Sequence, residues 1–259
     1  VSAALDFTPR PGAAPLHRMV LAQTGAEVRA VLRNGEQLLL TMIIPLLVLV
    51  GFSAAPLLEV PGRRIDFVAP GVLALAIMST AFTGQAIGTG FERRYGVLKR
   101  LGATPLSRAG LMLAKTLAVI TVEILQFAVI AAVALALGWR PHGAPLEAFA
   151  LVLVMVLAGT AAFSGLALLM AGTLRAEATL AAANLVYLVL LGLGGVVVPV
   201  TSFPHALRVV AEVLPITALT GGLRSILAQG GGLPARELLI LLAWAAVTLA
   251  LAARTFRWE

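Results

Sequence analysis

Cysteine is absent from this chain of 259 residues, and aspartate, lysine, tyrosine and histidine are nearly so. Each shortage removes a chemistry. Without cysteine there is no disulfide framework and no thiolate chemistry, and the redox compartment leaves no trace in the sequence. The three histidines, His17, His142 and His205, lie in separate segments with no ligand spacing, so no metal site is expected. The two aspartates, Asp6 and Asp66, are far apart, whereas a membrane prenyltransferase would need a cluster of them to hold magnesium to a diphosphate. The two lysines are Lys99, followed by Arg100, and Lys115, preceded by Ala114, so neither ends a glycine-rich phosphate cradle as Gly-Lys-Ser/Thr. A chain without a Walker A motif is not expected to hydrolyse nucleotides, and the enzymatic readings lose their support.

Charge is scarce as well. Charged residues make up 12% of the chain and hydrophobic ones 60%, with a mean hydropathy of +0.99, values that exclude an ordinary soluble domain. The formal charge of +7 is spread over several segments rather than gathered on one face, which argues against nucleic acid and for topology and lipid-headgroup contacts. Val1 to Gly12 is polar and proline-bearing, so no cleavable leader is expected.

What is present is a series of long apolar runs. Each of the longer ones exceeds the roughly 20 residues that a helix needs to cross a bilayer. The expected fold is an all-α polytopic membrane protein with six spans at about 38–58, 67–91, 109–138, 146–173, 179–198 and 238–253, forming one domain over 38–253. Pro45 sits inside the first span as a tolerated kink, and Pro70-Gly71 opens the second. Ahead of them, residues 1–37 form a tail and an amphipathic helix from His17 to Gln37, with Leu21, Val28, Val31 and Leu32 on one stripe and Arg18, Arg29 and Arg33 beside it. That pattern suits a helix in the cytoplasmic interface, or one packed on a partner. Residues 254–259 form a second short tail.

Residues 199–234 are too interrupted to span, with Pro199, Pro204, Pro215, Gly221, Gly222 and Gly230 to Gly232 as breakers. Leu207, Val210, Ala211 and Leu214 share one stripe there, and Arg208 and Glu212 form an i,i+4 pair. Short re-entrant helices on the outer side are expected, bordering a cavity, because irregular backbone at membrane depth must be covered by protein or water.

Between the second and third spans lies a basic loop, 92–108, carrying Arg93, Arg94, Lys99, Arg100 and Arg108. Excess positive charge in a short loop marks the cytoplasmic side. With that loop inside, Lys and Arg divide 13 inside to 6 outside, which places both termini in the cytoplasm.

Glu92-Arg93, then Gly96-Val97-Leu98-Lys99-Arg100-Leu101, then Ala103-Thr104-Pro105-Leu106 resembles the segment between spans two and three of the type 2 permeases of ATP-binding-cassette (ABC) exporters. Phe67-Val68-Ala69-Pro70-Gly71 resembles that family's opening of span two, and Leu214-Pro215-Ile216-Thr217 with Gly222-Leu223-Arg224 resembles its outer segment before span six. The resemblance covers nearly the whole chain and is greatest to the antibiotic-resistance branch. It implies a plasma-membrane (cell inner membrane) permease that exports drugs, antibiotics, lipids or polymers. Its ATPase would be a separate cytosolic subunit that holds the ATP and magnesium, leaving no cofactor in this chain. It also implies a second permease copy, identical or homologous.

On that reading the loop is a coupling element comprising Glu92, Arg93, Gly96, Val97, Leu98, Lys99, Arg100, Leu101, Thr104 and Pro105. Gly96 and Gly102 allow turns on either side of a short helix whose Leu98 and Leu101 project toward a groove on the ATPase. Thr104 caps span three, with Pro105 at its first position. Lys115, two turns from the cytoplasmic end, snorkels to the interface. Glu123 lies in the middle of span three, where an ionised side chain costs about 2.5 to 3.5 kcal/mol, so it must be paired, wet or protonated. Gln126, one turn on, is a candidate partner, and Gln85, Asn184 and Tyr187 lie at membrane depth in other spans. These groups line a substrate pathway or serve as interhelical hydrogen bonds. Two alternatives to the permease remain at this point: an ion-coupled secondary transporter with Glu123 as its proton site, and a structural scaffold of a membrane complex. Matching broken helices in two halves, the usual mark of the former, are not seen.

Overall fold

The computed structural model describes residues 12–54 and 62–255, the side chains of 36–40 excepted. The tail residues with Arg10 and Arg257, the end of the expected first span and the start of the loop after it lie outside the described residues. Every regular element among the described residues is helical: α1 (Leu16–Arg33), α2 (Gly35–Ala54), α3 (Arg64–Ile77), a π-helical stretch (Met78–Gly84), α4 (Gln85–Arg94), α5 (Val97–Gly102), α6 (Arg108–Ala136), α7 (Pro145–Thr173), α8 (Ala176–Leu193), a 3-10 turn (Val200–Ser202), α9 (His205–Glu212), α10 (Pro215–Leu227) and α11 (Ala235–Thr255). Five of these are long and apolar enough to cross a membrane, with α3, the π stretch and α4 counted as one rod, Arg64–Arg94. A shorter apolar helix covers Thr41–Ala54, and α9 with α10 makes a pair bent by 82° that passes the same test only when joined. The chain is an all-α polytopic membrane protein.

The rod Arg64–Arg94 is the central post, since 89% of its most apolar window is buried, against 22% for α8 and for α11. Its long run of small and branched side chains from Val68 to Phe82 meets α2, α6, α7, α8 and α10 on different sides. Lipid tails are as apolar as leucine, so helices in a bilayer associate through close packing and hydrogen bonds rather than through burial from water. The contact of α7 with α11 follows that rule: Gly165 faces Thr248 and Leu249 closely enough that a side chain there would clash, and the Thr248 hydroxyl donates across to the Ala162 carbonyl of α7 at 3.4 Å. Leu185 and Leu188 of α8, Ile124 of α6 and Leu239 of α11 stay exposed on the outside of the bundle.

Several element ends differ from the sequence expectation. α3 begins at Arg64, so Pro70-Gly71 stands well inside the helix rather than at its head, and Asp66 falls in the first turn, where its charge favours the helix dipole. Span three opens at Arg108 with Ser107 as its cap, the Ser107 Oγ accepting from the Gly110 N–H at 3.1 Å, not at Thr104-Pro105. Thr104 Oγ1 instead donates to the Leu101 carbonyl at 2.6 Å and closes α5. α11 runs past both ends of the expected 238–253.

α1 packs along α6. Its inward stripe is Val20, Thr24, Glu27 and Val31, while Leu21 and Leu32 of the expected apolar stripe are exposed, as are Arg18, Arg29 and Arg33. In the segment 199–234 α9 is amphipathic and lies exposed, with Leu207 and Val210 exposed and Ala211 buried, whereas α10 is buried among α3, α7 and α11.

Candidate functional site

The basic segment forms an elbow at one end of the bundle. The rod ends at Arg94, Tyr95 turns the chain, and Gly96 adopts φ +72°, a left-handed conformation that glycine tolerates and other residues rarely take. α5 follows. Leu98 is fully buried, in one cluster with Val20 of α1, Leu106, Leu111 and Met112 of α6 and its approach, Leu168 of α7 and Ala252 of α11, and Leu101 packs on the edge of that cluster. The expectation that Leu98 and Leu101 project outward is therefore corrected: α6, α7, α11 and α1 together supply an internal groove that the sequence pattern does not reveal. The exposed face of α5 carries Val97, Lys99 and Arg100, with Tyr95 and Pro105 exposed on either side.

Behind the elbow is a knot of ion pairs. Lys115 does not snorkel; it is 4% exposed, and its Nζ donates to Glu92 Oε2 at 2.6 Å and to Glu27 Oε1 at 2.9 Å. Gln23 Nε2 also donates to Glu27 Oε1, at 2.8 Å. Thr24 Oγ1, one turn before Glu27 on α1, donates to the Ala114 carbonyl at 3.3 Å, so α1 is stitched to α6 at two adjacent levels. The next residues of the rod tie it to two further helices. Arg93 donates to the carbonyls of Ala171 and Leu174 at the end of α7, and Arg94 pairs with Glu177 in the first turn of α8 at 2.5 Å. Five helices thus meet through three consecutive residues, Glu92, Arg93 and Arg94.

The polar groups at membrane depth separate. Glu123 and Gln126 do not bond each other. Glu123 is 1% exposed and its Oε2 accepts from Thr160 Oγ1 of α7 at 2.6 Å, while Oε1 has no partner. Gln126 accepts from Thr80 Oγ1 of the π stretch at 2.7 Å and donates to the Thr41 carbonyl of α2 at 3.2 Å. Gln85 is buried on α4, facing a chamber of about 190 Å³ between α1, α2, α4 and α6. Asn184 is exposed on the apolar outer face of α8, and Tyr187, on the same helix, is partly buried against the core.

The opposite end is organised around Arg224 of α10. Its guanidinium lies 3.6 Å from the centre of the Phe67 ring, Nε donates to the Phe67 carbonyl at 3.0 Å, and a terminal nitrogen donates to the Val196 carbonyl at 2.7 Å. Gly71 makes this possible, since a Cβ there would stand 2.6 Å from the Val196 oxygen and 2.8 Å from that nitrogen. Beside Arg224 is a cleft of about 890 Å³, bordered by Asp66, Phe67, Thr217, Arg236 and Glu237. At its rim Glu212 accepts from Arg208 at 2.9 Å and from Arg236 at 3.2 Å, and these guanidiniums hold its carboxyl below the usual carboxylate range.

Sequence reasoning missed the partners of Lys115 and the anchoring by Arg224. For Lys115 a signal existed: Thr24 and Glu27 interleave with Val20 and Val31 at helical spacing, polar residues on a stripe that has to be buried somewhere.

The family model described as ABC-2 type transporter matches residues 20–228, from the first turns of α1 to the end of α10. Among curated proteins none matches the chain.

Proposed function

The chain belongs to the ABC-2 type transporter family, and we propose on that premise that it exports amphipathic cargo, drugs or lipids, across the plasma membrane. As a member it is the transmembrane permease component of an ABC transporter rather than the ATPase, and it associates with an ABC ATPase subunit. Family membership leaves the ion-coupled alternative without support.

In our reading the elbow end faces the cytoplasm and α5 receives the ATPase, which alone handles ATP and magnesium. The observation that carries this is the strapping of α5: the residues just before it tie together α1, α6, α7 and α8, so a push on α5 reaches several helix ends at once. Val97, Lys99 and Arg100 form the docking face, and Leu98, Leu101, Gly96, Thr104 and Pro105 shape it. α1 lies in the headgroup region with Arg18, Arg29 and Arg33 toward lipid phosphates. A second permease copy covers α8, where exposed Asn184 at mid-span would otherwise meet lipid, and cargo passes along that interface beside Tyr187. The bonds of Glu123 and Gln126 across helices support an interhelical role for those two.

The test uses the permease co-purified with its ATPase in lipid nanodiscs. Gly96→Pro forces φ from +72° to about −65° and tilts α5, and Lys99→Glu with Arg100→Glu reverses the docking face. Both variants are expected to assemble in the membrane and to lose at least about tenfold of cargo-stimulated ATP hydrolysis, roughly 1.4 kcal/mol of coupling. Normal stimulation in both refutes the assignment. Because the chain lacks cysteine, Lys99→Cys and His205→Cys report orientation directly: an impermeant maleimide added to whole cells should label only the latter.

A further inference from the structure

The chamber between α1, α2, α4 and α6 is lined by buried polar groups that no other group among the described residues answers. Gln85, Thr89 and Glu92 stand at i, i+4 and i+7 on α4, one face of the helix, and all three border it, with Gly84 and Gly88 beside them leaving it open. Gln85 is 7% exposed and neither its Oε1 nor its Nε2 has a partner; Thr89 is 1% exposed and its Oγ1 has none. A buried polar group left so forfeits its hydration without compensation, which argues that something polar answers them. A volume of about 190 Å³ is room for roughly six waters at about 30 Å³ each, enough for a small ion with part of its hydration shell.

Charge selects the occupant. The ionisable side chains bordering the chamber are Glu27, Glu92 and Lys115, two carboxylates to one ammonium, so with both carboxylates ionised one negative charge is left over. The available acceptors are carboxylate, amide and hydroxyl oxygens, which suit hard cations. Among the described residues no group of three or more His, Cys, Asp or Glu converges as a metal site, and a single excess charge balances a monovalent ion rather than a divalent one.

We propose that this chamber binds one monovalent cation, held by Gln85 Oε1, Thr89 Oγ1 and the carboxylates of Glu92 and Glu27, which completes the knot around Lys115. The cation is either a dissolved alkali ion or the ammonium of an aminophospholipid head, since both present the same charge to the same oxygens. The site is independent of any transport reading, and its test involves no transport.

The full chain is placed in phosphatidylcholine nanodiscs in N-methylglucamine chloride, and thermal unfolding is followed in two arms. In one, sodium, potassium or rubidium replaces the organic cation at constant ionic strength. In the other, phosphatidylethanolamine replaces part of the phosphatidylcholine. The expected result is a saturable rise in Tm of about 5 °C at roughly 100 times Kd in at least one arm, lost in both Gln85→Leu and Thr89→Val. A rise in the first arm alone, with radioactive rubidium bound at one per chain, assigns the alkali ion; a rise in the second alone assigns the lipid amine. No rise in either arm, or a rise that persists in the folded variants, overturns the proposal, and the leftover charge then falls to a shared proton.

Discussion

The two ends of the bundle use the same ion-pair chemistry to opposite effect. At the elbow end Lys115 is 4% exposed and its carboxylate partners come from α1 and α4, remote in sequence. At the other end Arg208 and Arg236 are 46% and 66% exposed, and the Glu212 they share lies on the surface helix α9. Buried pairs cannot separate without stranding a charge, whereas exposed ones exchange freely with water and contribute little. The first arrangement locks several helix ends to one another, whereas the second is a local pairing on the surface helix α9 at the rim of the cleft. Arg224 is the exception at the second end: held by two carbonyls and the Phe67 ring, it is the fixed point about which that end is organised.

The sharpest break of this comparison is Lys115→Met. It leaves the Glu27 and Glu92 carboxylates facing each other across a mostly buried site, at an expected cost of about 3–5 kcal/mol. Adding Glu27→Gln and Glu92→Gln should restore most of the stability, since an uncharged set of similar volume carries no stranded charge. Thermal unfolding in nanodiscs reads both. A single variant as stable as the parent would mean that the knot is wet and loose.

Arg224→Ala should rank next, at about 2–3 kcal/mol, because it removes two charge-assisted hydrogen bonds and the ring contact. Arg224→Lys should recover only part, since a point charge cannot serve two divergent carbonyls and stack on Phe67 as the planar guanidinium does. Full recovery with lysine would reduce the role of Arg224 to charge alone.

The spans were legible because uncharged runs of membrane length have few other uses, and the elbow because basic residues and glycines cluster between two such runs. The Arg208–Glu212 pair was legible because it is local. What failed was contact between remote segments. Nothing near Lys115 in sequence announces Glu27, and nothing in Val97 to Gly102 tells that α6, α7, α11 and α1 will offer Leu98 an internal groove. The start of span three was misplaced because Thr104-Pro105 and Ser107 are both good caps; the hydroxyl of Thr104 is spent on Leu101, leaving Ser107 to accept from Gly110. The π stretch Met78–Gly84 holds no proline, and Gly84 stands only at its end, so nothing in it reveals the change of winding; its course belongs to a rod packed on every side.

The smallest effect should come from Glu212, and its sign follows from its partners. Arg208 first, then Arg236, donate to its carboxyl and hold it below the ordinary value of 4.5. Folding therefore favours the ionised form; that contribution is present in full above the ordinary value and fades as pH falls through the lower value of the folded protein. Acidification from about pH 7 to about pH 4 should then lower the Tm of the parent slightly more than that of Glu212→Gln, which has nothing to protonate. The difference should shrink further at high salt, because these charges are open to water. A drop comparable to that of Lys115→Met would make the rim of the cleft as rigid as the elbow, and the contrast between the two ends would not hold.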